Sequence, residues 1–146
     1  MKTIGAIVVV GCIAMTGFAQ GRAAEPDLST PQLTFERLLE AVETRNLELL
    51  QNVLEPNVKK LWDQWVQQTG GSWETILDRL APIFPPGTQL GPETGRQRFD
   101  EQGVETIRFT FPMTVNGRQI QYPIVFANRL GASPPKWQAT PPPVVP

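Results

Sequence analysis

The side chains able to do chemistry in this chain are few. Of its 146 residues none is His, and the single Cys, Cys12, lies in the N-terminal leader. That excludes Ser-His-Asp and Cys-His nucleophilic catalysis, His/Cys metal sites and an intramolecular disulfide. Carboxylates, one Tyr and four Trp remain. Asp63 beside Trp62, or Asp78, would become a proton-transfer group if burial raised its pKa. Tyr122, on the apolar face of its strand, could donate a hydrogen bond into a cavity. The simpler reading puts both Asp on exposed helix flanks, as Glu36, Glu40 and Glu43 fall on a solvated face. Trp62, Trp65 and Trp73 crowd into twelve residues. They read either as the wall of an apolar pocket or as core filling. No catalytic residue, metal ligand or cofactor is assigned.

The charge balance narrows the partners. Thirteen Lys plus Arg face fourteen Asp plus Glu, so the basic footprint of a nucleic-acid binder is missing. Lys2 precedes nineteen uncharged residues, Thr3 to Gly21, before Arg22. The apolar part, Ile4 to Phe18, is shorter than the roughly 20 residues that span a bilayer. A charged start, a short apolar run and small residues around Ala19 describe a secretory signal over 1–24. Val9-Val10-Gly11-Cys12 also resembles a lipobox, although the apolar run continues past Cys12. Membrane attachment would therefore require a lipidated Cys12 or a retained leader. Without Lys2 and Arg22 the mature chain has 11 basic and 14 acidic side chains, a net of −3. The expected location is secreted or periplasmic.

The elements that must position these residues follow from periodicity. Thr30-Pro31 opens a helix with a capping hydroxyl and a proline that loses no hydrogen bond. Phe35, Leu38, Leu39 and Val42 line one of its faces. Thr44-Arg45-Asn46 breaks the pattern, and Leu47, Leu50, Val53 and Leu54 restart it until Glu55-Pro56. A third helix carries Val58, Leu61, Trp62, Trp65 and Val66 inward and stops at Gly70-Gly71. Ser72 caps a fourth, with Trp73, Ile76, Leu77 and Leu80 inward, ending at Ala81-Pro82.

The second half alternates with period two. Ile107, Phe109, Phe111, Met113 and Val115 precede Asn116-Gly117, the dipeptide of two-residue hairpin turns. Ile120, Tyr122, Ile124 and Phe126 return on the same face. A two-residue turn predicts the pairs Met113–Ile120, Phe111–Tyr122, Phe109–Ile124 and Ile107–Phe126. Pro112 and Pro123 then fall at positions that lose no bond inside the hairpin, and they bend or bulge a three- or four-stranded sheet. Arg96 to Asp100 supplies a further strand through Glu101-Gln102-Gly103. Arg108 reads as a solvated side chain. Lys136-Trp137-Gln138 is a last short strand or a packed anchor, and 139–146 a Pro-rich disordered tail.

A capped helix, a break, a short second helix and a third helix before a long antiparallel hairpin resembles the nuclear transport factor 2-like superfamily. Its carriers are Thr34-Phe35-Glu36-Arg37-Leu38-Leu39-Glu40-Ala41-Val42, Asn46-Leu47-Glu48-Leu49-Leu50 and Leu54-Glu55-Pro56-Asn57-Val58. Asn46 stands where Asp is commoner. The resemblance covers about residues 31 to 138 and is strongest to secreted or lipid-anchored bacterial members of unknown function. It implies a cone whose bent sheet wraps helices around an apolar cavity. Enzymes of the superfamily work there with Asp, Tyr or His, but fold alone does not transfer activity.

The reading is a single α+β domain over 31–138, with N-terminal helices packed on a curved antiparallel, cone-like sheet. Its expected function is that of an exported, non-enzymatic accessory domain. It would bind an apolar small molecule or an envelope protein partner, with Trp62, Trp65, Phe109, Phe111 and Tyr122 as the binding residues. One alternative is an isomerase- or dehydratase-like enzyme using a buried Asp and Tyr122. Another is a structural homodimer through the open hairpin face.

Overall fold

A computed structural model describes residues 25–101, 103–120 and 122–145. The expected leader and Cys12 lie outside them. Among the described residues four helices come first: α1 (Pro31–Thr44), α2 (Leu47–Val53), α3 (Pro56–Thr69) and α4 (Trp73–Leu80). Seven strands follow: β1 (Thr88–Leu90), β2 (Gly95–Glu101), β3 (Val104–Phe111), β4 (Met113–Val115), β5 (Arg118–Gln119), β6 (Ile124–Arg129) and β7 (Gln138–Thr140). The chain is thus a single α+β domain, with its helices N-terminal to antiparallel sheets.

Each helix begins and ends where its residues dictate. The hydroxyl of Thr30 accepts from the Leu33 amide, the Asn46 side chain from Leu49 and the Ser72 hydroxyl from Thr75. These bonds satisfy amides that the first turn leaves without partners. Glu55-Pro56 serves twice, ending α2 and starting α3 with Pro in the first turn. Gly71 has a packing role: a Cβ there would sit 3.0 Å from Cζ3 of Trp65.

One sheet has the order β2-β3-β6-β7 and the other β1-β4-β5. Asn116 and Gly117 both take positive φ, 51° and 75°, and Val115 lies opposite Arg118. Ile120 N–H donates to Met113 O. To this point the register is the expected one. Beyond the prolines it shifts by two residues: Phe111 faces Ile124, Phe109 faces Phe126 and Ile107 faces Asn128. The expected Phe111–Tyr122, Phe109–Ile124 and Ile107–Phe126 pairs therefore do not form. Pro holds φ near −65°, far from the roughly −140° of an antiparallel strand. The chain bends at Pro112 and Pro123, and its return limb takes up two more residues than its partner. Because the excess is even, Phe111, Ile124 and Phe126 keep the core face, whereas Tyr122, expected beside them, is exposed.

The core lies between the helices and the inner face of the larger sheet. Phe35, Leu38, Leu50, Ile76, Leu80, Met113, Ile124 and Phe126 are fully buried. Trp137 joins them, and its ring stacks 4.7 Å from that of Phe109. The segment expected to hang free from residue 139 is instead attached. β7 pairs with β6, Pro141, Pro142 and Val145 are buried, and Arg79 donates to Val144 O at 2.8 Å. Proline carries no N–H, so burying it strands no donor. Among the described residues no helix is long and apolar enough to cross a membrane.

Candidate functional site

α3 brings Trp62 and Trp65 to two different surroundings. Trp62 points inward, 2% exposed, with the Trp73 ring 5.9 Å away. Trp65 is half-buried beneath the Arg79 guanidinium, 4.8 Å from its ring. On the sheet, Phe109 lies between the Trp137 ring and the Arg96 guanidinium, the latter at 4.3 Å. Phe111 meets Phe126 edge-on at 5.8 Å. Tyr122 is 53% exposed, carried outward where the return limb leaves the ladder. No ring contact joins any two of these five residues, and each ring partner of the other four is a core side chain or an arginine.

Two depressions stand out among the described residues. One, of about 1120 Å³, is broad, open and of mixed lining; it runs from Glu25 and Asp27 past Leu28, Arg37 and Glu48 to Pro135 and Lys136. The hydroxyl and amide of Ser29 hold the Asp27 carboxyl below its ordinary pKa. The other, of about 150 Å³, is apolar. Val58, Leu61 and Trp62 of α3 form one side, and Thr140, Pro141, Pro143 and Val145 form the other. Trp62 is the one expected binding residue that lines either. Leu61, expected inward, is instead 53% exposed at the rim. The missed partners here are Pro141, Pro143 and Val145. Their composition reads as a tail, and no local pattern reports a docking 80 residues upstream.

The carboxylates are engaged. Asp63 accepts from Lys59 Nζ and from Trp73 Nε1, each at 3.0 Å. Asp78 is exposed and paired with Arg45 at 2.9 Å. A buried acid does exist, but it is Glu55, which the sequence marks only as the end of α2. Its side chain is 9% exposed, accepts from the Thr140 hydroxyl at 2.7 Å and faces Arg108 Nη2 at 3.5 Å. Arg108 is therefore not the solvated side chain expected of it. Its guanidinium also lies 4.8 Å over the Phe99 ring. Ala127, opposite Arg108 on β6, is the small residue that leaves it room to reach across. This group clamps the α2–α3 junction to the outer face of the sheet. Among the described residues no cluster of His, Cys, Asp or Glu could hold a metal ion.

Compared with known protein families, with curated proteins and with solved structures, the chain matches none.

Proposed function

We propose that this chain is an exported, non-enzymatic accessory domain of the bacterial envelope that docks a protein partner at the groove between α3 and the C-terminal segment. The observation that carries the reading is the size and lining of that groove. Its 150 Å³ is small beside the roughly 300–1,000 Å³ of sites that enclose a drug-sized ligand. It suits one leucine- or phenylalanine-sized side chain, the usual anchor of a protein interface. Leu61 at the rim adds apolar contact that water now covers.

Export rests on the leader pattern, and the order of helices before antiparallel strands agrees with the resemblance to the nuclear transport factor 2-like superfamily. The small-molecule version of the reading would need the five aromatic residues around a common void. The isomerase-like alternative would need a buried acid beside Tyr122, whereas Asp63 is tied to Lys59 and Trp73.

The test is native mass spectrometry of the chain expressed with its own leader and recovered from the envelope, alongside Leu61→Asp. A protein complex present in the wild type and lost in the variant is the expected result. A small-molecule mass released on denaturation, or no heterologous complex in either sample, overturns the reading.

A further inference from the structure

β2 is the outermost strand of the four-stranded sheet, and among the described residues no strand pairs with its far side. The ladder fixes which backbone groups face that side. Leu130 N–H donates to Glu105 O at 2.8 Å, so the odd-numbered residues of β3 bond toward β6 and the even-numbered ones toward β2. Their partners on β2 are Gly95, Gln97, Phe99 and Glu101. Arg96, Arg98 and Asp100 therefore turn their N–H and C=O groups to the open edge. Among the described residues no backbone bond meets them there.

The side chains of this edge are unusual in sign. Asp100 sits directly opposite Glu105, both exposed. Theirs is a non-hydrogen-bonded pair, the closer of the two spacings, where like charges destabilise. Arg98 projects from the same face of the same strand. It is exposed and makes no ion pair among the described residues. Arg96, by contrast, is held by both carboxylate oxygens of Glu93. Along β2 the order is basic first, acidic last, which is complementary to itself when reversed.

We propose that the open edge of β2 pairs antiparallel with β2 of a second copy of this chain, Arg98 of each copy lying opposite Asp100 of the other. Outward-facing residues must oppose outward-facing ones, so only even registers are allowed. Centring on Arg98 would oppose two like charges. Moving the centre to Phe99 makes two Arg–Asp pairs and places each incoming guanidinium beside an Asp100–Glu105 pair. The two Phe99 rings then meet at the middle on the opposite face, each already flanked by its own Arg108. The contact is isologous and closes as a dimer, joining two four-stranded sheets into one. A single strand edge is a small contact beside the roughly 800 Å² per partner of a standard interface, so a weak dimer that dissociates on dilution is expected. This edge is distinct from the α3 groove, and neither assignment depends on the other.

Sedimentation equilibrium of the full chain at low salt, from about 5 μM to about 1 mM, tests it with Arg98→Asp, Asp100→Arg and the double variant. Both positions are exposed, and circular dichroism verifies that the variants fold. The wild type should dimerise, and either single reversal should weaken the dimer at least about tenfold, since two pairs change sign. The double variant should return to within about threefold of the wild type. A monomer throughout, single variants that dimerise like the wild type, or a double variant no better than the singles would each overturn the proposal.

Discussion

β3 hydrogen-bonds to a strand on either side, and the two neighbours have opposite characters. β6 buries Ile124, Phe126 and Ala127 and is itself flanked by β7. β2 exposes Arg96, Gln97, Arg98 and Asp100 and, among the described residues, has no strand beyond it. Both neighbours pair with β3 in continuous register, so the presence of pairing does not decide where stability resides. The helices pack against the β6–β7 part of the sheet and leave the β2 edge to charge. Mutations should thus separate cleanly by strand.

The largest separation is expected between Phe126→Ala and Arg98→Ala. The first should lower the unfolding free energy by about 3–5 kcal/mol, because the ring is fully buried against Phe111. The second should change it by less than about 0.5 kcal/mol in urea denaturation at low protein concentration. Equal effects would break the comparison. Ending the chain after Thr140 should cost about 2–4 kcal/mol, from the lost burial of Pro141, Pro142 and Val145. If the midpoint does not move, the C-terminal segment contributes nothing to the covered side.

Glu55→Gln sharpens the contrast at a polar site and should cost about 1–3 kcal/mol. It leaves Arg108 facing a neutral amide across 3.5 Å. The same change at exposed Glu36 should be silent. The smallest effect is at Asp27. Its carboxyl should titrate below 3.8 by NMR and move back toward that value in Ser29→Ala. The folded pKa is the lower one, so its contribution to stability is complete above the unfolded value. That contribution disappears as pH falls through the folded value.

Local rules carried most of the fold. Thr30 and Ser72 announce helix starts, Thr44-Arg45-Asn46 marks the break before α2, and Asn116-Gly117 fixes the turn and the first pairs around it. Alternation alone then places Phe109, Phe111, Ile124 and Phe126 on the core face, and that survives the register shift because parity does. The size of the shift was not legible. Proline reports that a strand bends, not how many residues its partner must add. The site was less legible still. Leu61 fits the helical stripe as well as Trp62 does, and only the arrival of Pro141 and Val145 from the far end decides which becomes rim and which floor. Glu55 was obscured for the same reason, since its partners Arg108 and Thr140 are distant in sequence.

The bridge between Leu54 and Ala139 has a consequence for the chain as it is made. Glu55 N–H donates to Ala139 O, and its carboxylate meets Thr140, 85 residues further on. A ribosome adds about 5–20 residues per second, so the α2–α3 junction waits seconds for its partners. Until Ala139 and Thr140 emerge, Leu54 has no strand beside it and Glu55 no hydroxyl. The α2–α3 junction is thus a late-closing part of the fold, completed only after β7 has been made.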